Sequence, residues 1–279
     1  MRSFSPMSIS FFSPAKINLF LRVLGRRKDG YHGLASLFHA IDLGDVLTIQ
    51  AASEDVFTCD VAEVPRSPKN LVLRALSLFR QKTGCYCPVH IHLQKKIPLQ
   101  AGLGGGSSNA ATTLWALNTL FQTAICEEDL RQWGALLGSD VPFFFSSGTA
   151  YCTGRGEHVH SLPPIPWSFP LVLAKPSMGL STETIFSLLD CSQCASEDPE
   201  KLLDSFLQGT PRFLNDLEIP AFRALPELRT FKHTLEQLFE SVVMTGSGTA
   251  FFAIGKHPAY PPISLSRRSP QQWYRVDSI

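Results

Sequence analysis

Between a β-rich segment and a helix-forming one, the chain carries the run Gly102-Leu103-Gly104-Gly105-Gly106-Ser107-Ser108. Glycines packed this densely free the backbone for positive φ, Gly105 included, and let its N–H groups come close to a ligand. The helix that follows, expected from about Ser108 to Phe121, directs unpaired N–H groups and the positive end of its dipole at the same spot. Together these features describe a phosphate-binding junction, with Ser107 and Ser108 as added hydroxyl donors. Two familiar forms of it are excluded. No Lys follows the glycines, as a Walker loop requires, and counting the dinucleotide pattern GxGxxG from Gly102 puts Ser107 where the third glycine belongs.

Around this junction the pattern alternates between strands and helices. Ser13–Leu24 reads as a strand with Lys16 and Asn18 on one face, followed by a turn at Asp29-Gly30. Leu34–Asp42 is apolar, and Asp45–Ala51 reads as a separate short strand. A helix follows Pro68, with Asn70 as N-cap and Leu71, Ala75 and Leu78 on one stripe. A strand ending at Pro98 leads into the glycines. A further helix spans about Glu127–Leu137 and closes at Gly138. Strand-like material follows from Gly148. The proline-rich stretch 162–170 suggests a stiff connector, and a boundary near residue 156 divides the chain into units 1–155 and 156–279. Helices are expected at Thr182–Leu189, Pro199–Leu207, Pro220–Ala224 and Pro226–Phe239. A strand at Val242–Met244, a glycine turn and a second strand complete the second unit, and the residues from Lys256 onward read as a loose tail. Strands and helices in both halves give a mixed class, α+β or α/β.

Twenty-five Lys and Arg against 24 Asp and Glu leave a net charge of +1, which argues against nucleic acid as the main partner. No apolar stretch is long enough to span a membrane. The start has one early Arg, two prolines and no long apolar run, so it reads as neither a secretory nor an organellar leader, and the chain reads as cytoplasmic. Seven scattered cysteines are expected as free thiols. Cys191 and Cys194 resemble half of a zinc site without its other half. His90 with His92, and His158 with His160, share strand faces, but no carboxylate completes either pair. No resident metal site is expected from these residues.

Lys16 within an apolar strand, and Asp140 beside Pro142 and three phenylalanines, are each costly as ions unless paired. The simplest resolution is that they satisfy one another across the fold.

The ordered segments SPAKINLFLRVLGRRKDGYH, IPLQAGLGGGSSNAA, LGSDVPFF and MTGSGTAFFA resemble the successive motifs of the GHMP small-molecule kinases over roughly residues 11–255. The Asp29-Gly30-Tyr31-His32 segment is similar to the branch of that family whose substrate carries a cytidine diphosphate group. Gly33 stands where that branch often has Glu. The resemblance implies a two-domain α+β fold, its N-terminal part ribosomal protein S5 domain 2-like and its C-terminal part ferredoxin-like. It implies ATP and Mg²⁺, a small-molecule substrate, and a monomer or weak homodimer. Lys16 and Asp140 match the family's catalytic pair, with Asp140 as base for the acceptor hydroxyl. Pro98, Leu99, Gln100, Ala101, Gly102, Leu103, Gly104, Gly105, Gly106, Ser107 and Ser108 match the ATP phosphate loop, and Asn70 and Leu71 lie where adenosine is held. Asn18, Tyr31 and His32 match residues around the cytidine diphosphate. Thr182 and Phe186 match a phosphate contact and a second aromatic wall for the cytosine; by pattern alone Phe186 reads as helix core. Competing readings are a kinase for mevalonate, homoserine or a sugar, a non-catalytic binding protein of the same fold, and an RNA-binding protein.

Overall fold

The computed structural model describes residues 8–163, 170–259 and 263. The proline-rich connector falls mostly outside these residues, as does most of the expected tail. A long hairpin forms the centre: β1, Ile9–Arg26, runs antiparallel to β2, His32–Ala51. The Asp29 carboxylate closes the turn by accepting the Tyr31 N–H at 3.1 Å, and Gly30 takes φ 86° there.

The expected break within β2 does not occur. One strand serves three partners along its length: β1 throughout, β5 (Thr149–Gly154) beside its first part and β4 (Val89–Gln94) beside its last. Pairing at both ends carries the chain through polar Asp42 and Gly44, where local pattern suggested an interruption. β3 (Val56–Cys59) lies beside β4, β6 (His158–Ser161) beside β5, and the short β8 (Leu214–Asn215) beside β1, giving a seven-stranded sheet. Three register shifts punctuate the β1–β2 ladder, one of which leaves Leu19 without a cross-strand partner, so that Asn18 faces Phe38 and Phe20 faces Leu37.

Three helices cover one face of this sheet: α1 (Leu71–Thr83), α2 (Gly105–Phe121) and α3 (Glu127–Leu137). Asn70 caps α1 as expected, its side chain accepting from Val72 N at 2.9 Å, and Gly84 ends the helix in the left-handed region. The buried stripe of α1 is Val72, Ala75, Leu76 and Phe79, packed with Ala110, Leu114 and Leu117 of α2. The Pro142–Phe145 turn, a short 3₁₀ helix, buries all three phenylalanines in the same core.

On the opposite face Ala15, Ile17 and Leu19 of β1 pack against a second, three-stranded antiparallel sheet, ordered β7 (Leu171–Ala174), β10 (Phe251–Ile254) and β9 (Ser241–Met244). The alternation along β1 follows from strand periodicity: odd residues meet this second layer, while Lys16 and Asn18 point the other way. Helices α4 (Thr182–Ser187), α5 (Pro199–Leu207), α6 (Glu218–Ala224) and α7 (Glu227–Glu236) complete this part. α5 begins at Pro199 with Asp198 as cap, whereas α4 and α7 end earlier than their patterns suggested. The two layers are sewn together by Asp216. It takes Arg22 Nη1 at 2.7 Å, Val23 N at 2.7 Å and Ala195 N at 3.0 Å. No described helix is long and apolar enough to cross a membrane.

Candidate active site

Two cavities open on either side of the glycine loop and share Gly102, Gly104 and Ser107 as a common wall. Lys16 and Asp140 line the larger, about 1210 Å³, together with Tyr31, His32, Thr182 and Phe186. Asn70, Leu71 and the loop from Pro98 to Ser107 line the smaller, about 350 Å³.

At their junction Lys16 Nζ stands 3.3 Å from Asp140 Oδ2 and donates to Asn18 Oδ1 at 2.8 Å. The ammonium is buried and lies 4.6 Å above the Phe38 ring, whereas Asp140 keeps a third of its side chain exposed to the cleft. A buried cation with one carboxylate and one amide oxygen meets the pairing requirement of an apolar site. Asn18 is itself held: its amide nitrogen donates to Ser36 Oγ at 2.8 Å, and Thr245 Oγ1 donates to its oxygen at 3.3 Å. Its carboxamide oxygen therefore serves Lys16 and Thr245.

The glycine loop differs from the sequence expectation, first in its backbone and then in its serines. Positive φ occurs at Gly102 (78°) and Gly104 (69°), not at Gly105, which already belongs to α2. The helix starts earlier than Ser108 because Gly104, in the left-handed region, serves as its N-cap. A Cβ on Gly104 would meet Lys16 Cγ at 2.9 Å, so glycine there is required by the lysine's own packing. Second, Ser108 offers the cleft nothing. Its hydroxyl pairs with Ser13 Oγ at 2.8 Å in the interior, and its N–H closes the first turn onto the Gly104 carbonyl at 2.8 Å. Successive helical residues point about 100° apart, so of the two serines only Ser107 faces the cavities. The N–H groups of Gly105, Gly106 and Ser107 precede that first bond, and these residues line the smaller cavity.

Beneath the loop lies a group the sequence did not single out. Asp45 is fully buried and accepts from Lys95 Nζ at 2.6 Å, Lys96 N at 2.7 Å, Ile97 N at 2.8 Å and Asn109 Nδ2 at 2.8 Å. It ties the approach to the glycines to α2 and holds Lys95 at the edge of the smaller cavity. The segment Thr245–Gly248, part of the MTGSGTAFFA motif but not of the expected site residues, also borders the cleft. Asn215 donates to the Met244 and Gly246 carbonyls at 2.8 and 2.9 Å, and Ser247 Oγ lies 2.7 Å from Thr182 Oγ1.

Phe186 both packs against the core and lines the larger cavity. It is half-buried, and its ring stacks on His32 with centroids 5.4 Å apart and planes 23° from parallel. Tyr31, 57% exposed, faces the same space. Burial, and secondarily the Arg26 charge, lower the His32 pKa and favour the neutral ring, which can both donate and accept on its edge. Among the described residues no group of three or more His, Cys, Asp or Glu could hold a metal; His90 and His92 instead contact Thr58 Oγ1 at 3.3 and 2.9 Å. The seven cysteines are free, and burial leads the causes that push the Cys194 thiol up to about 11.

Residues 70–148 match the family model described as the GHMP kinases N-terminal domain. The chain is 48% identical over 277 residues to the 4-diphosphocytidyl-2-C-methyl-D-erythritol kinase of Protochlamydia amoebophila, covering 97% of this chain and 94% of that protein. It belongs to the 4-diphosphocytidyl-2-C-methyl-D-erythritol kinase family. A relative in Arabidopsis thaliana, named as the chloroplastic form of this kinase, is 45% identical over 90% of this chain and 69% of its own length. The crystal structure of a 4-(cytidine 5'-diphospho)-2C-methyl-D-erythritol kinase superposes with a TM-score of 0.79 at 33% identity, covering 92% of this chain and all of that one. The GHMP kinase fold inferred from the motifs is thereby shown, with its α+β composition.

Proposed function

We propose that this chain transfers the γ-phosphoryl group of ATP to the 2-hydroxyl of 4-diphosphocytidyl-2-C-methyl-D-erythritol, a step in making isoprenoid precursors. The observation that carries this reading is the Lys16–Asp140 pair, 3.3 Å apart where the two cavities meet. A nucleotide on one side and an alcohol on the other would come together there. Phosphoryl transfer asks the protein for alignment and charge stabilisation more than for covalent work.

In this mechanism Asn70 and Leu71 border the adenosine, and the N–H groups of Gly105, Gly106 and Ser107 cradle the phosphates from the positive end of α2. Asp140 accepts the hydroxyl proton as the bond to phosphorus forms. Lys16, fixed by Asn18, holds the hydroxyl and offsets the charge gathering on the transferred group. Tyr31, His32 and Phe186 give the cytosine flat faces and an edge to pair with. Thr182, joined to Ser247, contacts a substrate phosphate. The aromatic wall favours this substrate over mevalonate or homoserine, which carry no base to stack.

The Asp140 carboxylate and the Ser107 hydroxyl, which line the larger cavity beside Gly102 and Gly104, are the donors that would hold Mg²⁺. So sparse a set suits a cation held mainly by phosphate oxygens and water, which would neutralise the β- and γ-phosphates. The same reading takes the protein as a cytoplasmic monomer or weak homodimer, without nucleic-acid or membrane partners. It also takes residues 1–155 as ribosomal protein S5 domain 2-like and 156–279 as ferredoxin-like. The β5–β6 hairpin straddles that division, so the join would be a hydrogen-bonded one.

The test is ADP release with and without the cytidine diphosphate alcohol. Stimulation by the alcohol is expected; an unchanged rate would refute the kinase reading.

A further inference from the structure

Arg155 lies in the turn between β5 and β6, on the wall of the larger cavity, and neither pattern nor resemblance had singled it out. Its guanidinium carbon stands 4.8 Å above the Tyr31 ring. Glu157 orients it from behind: one carboxylate oxygen accepts the Arg155 backbone N–H, and the other lies 3.4 Å from Nε. Among the described residues neither terminal nitrogen has a protein acceptor. Stacking and the Glu157 edge therefore fix the plane of the group and leave its outer fork unspent.

The other cations of this cavity are placed differently. Lys16 is engaged by Asp140 and Asn18. Arg26 is exposed and, among the described residues, reaches only the Gly30 carbonyl, at 3.4 Å. Of the two landmarks between which a cytidine diphosphate must stretch, Arg155 touches one and its chain neighbour approaches the other. It covers Tyr31 at the base end. At the reacting end its neighbour Gly156 is so close to Asp140 that a Cβ there would lie 3.5 Å from Oδ1. The diphosphate lies between those ends, and a planar fork matches its oxygens in pairs.

We infer that Arg155 is a specificity-determining residue whose terminal nitrogens bind the diphosphate of the cytidine substrate while its face presses Tyr31 toward the base. This inference rests on the proposed function and deepens it.

The test is calorimetric binding of cytidine, CMP and CDP to the wild-type chain and to Arg155→Gln, Arg155→Lys and Arg26→Gln. Wild type is expected to bind CDP more tightly than cytidine. Arg155→Gln should lose about ten-fold or more of that preference, the scale of charge-assisted hydrogen bonds, with ATP affinity unchanged. Arg155→Lys should restore part of it, and Arg26→Gln should leave it intact. A wild-type ratio in Arg155→Gln, or loss of the preference in Arg26→Gln alone, overturns the assignment while leaving the cytidine site standing. Failure of wild type to bind either cytidine or CDP would instead remove the cytidine reading and this inference with it. Should Arg155→Gln fail to fold, the Lys variant decides, since a full wild-type ratio there would contradict a role for the planar fork.

Discussion

Gly102 and Gly248 meet backbone to backbone: a Cβ on Gly248 would fall 2.1 Å from the Gly102 nitrogen, and one on Gly102 would fall 2.8 Å from the Gly248 nitrogen. The glycine loop thus leans on the Thr245–Gly248 segment with no side chain between them. The atoms in the way are main chain and have little freedom to move aside. Gly248→Ala is expected to destabilise the protein by about 3 kcal/mol, the upper part of the usual cost of overpacking, and to weaken ATP binding along with it. Urea unfolding and nucleotide titration check this; an alanine tolerated in both would mean the two loops separate easily.

Asp140→Asn should fold, bind ATP and lose turnover by about 10²–10⁴-fold, the usual contribution of a general base. Lys16→Met should be similarly inactive. Because the side chains are in contact, the double variant should be no worse than the poorer single one. Steady-state kinetics on the three proteins decide the matter, and losses that simply add would show the residues working independently.

Tyr31→Ala should raise KM for the cytidine substrate by about ten-fold, in line with roughly 1–3 kcal/mol for stacking on a base. Its KM for ATP should stay put, since Tyr31 lines only the larger cavity. His32→Ala should behave likewise and also release Phe186 from its stack. Equal damage to both Michaelis constants, or to neither, would contradict the assignment of the aromatic wall.

Away from the cleft, His39 sits buried between strands with Nδ1 2.8 Å from Thr149 Oγ1 and Nε2 without a partner among the described residues. Burial lowers its pKa from 6.5 to about 4. The unfolded chain therefore binds the extra proton between those values. Stability is unaffected by this group above pH 6.5, falls as pH drops through the window, and reaches its full loss below about 4. At 1.36 kcal/mol per pKa unit the loss is roughly 3 kcal/mol. Denaturant unfolding from pH 7.5 to 4 should show a shallower decline in His39→Leu than in wild type. Parallel curves would mean that the imidazole is not what titrates.

The parts legible in the sequence are those fixed by neighbours along the chain. Asn70 before an apolar stripe marks a helix start, and Pro199 behind Asp198 marks another. The glycine run marked a strand-to-helix junction for the same reason. What depended on partners far along the chain was less visible. The unbroken course of β2 comes from strands that pair with it from both directions. Ser108 looks like a ligand donor until Ser13 is seen opposite it. Arg155 carries no motif at all, because its meaning comes from Tyr31 across the cavity. The nearness of Lys16 and Asp140 was expected only on the ground that neither could be buried as a lone ion, and the structure brings them together.

Leu19 divides β1 into two lengths that count differently. Before it, even-numbered residues look into the cleft, as Lys16 and Asn18 do; after it, an odd-numbered residue, Leu21, lines the same space. The unpaired residue resets the parity, as a bulge does. The Lys16 end of the strand is thereby insulated from its far end: a length change in the turn beyond Arg26 could reshape the wall of Tyr31 and His32 while Lys16 kept its facing. One strand can in this way hold its chemistry constant while the far end is free to vary with the molecule it recognises.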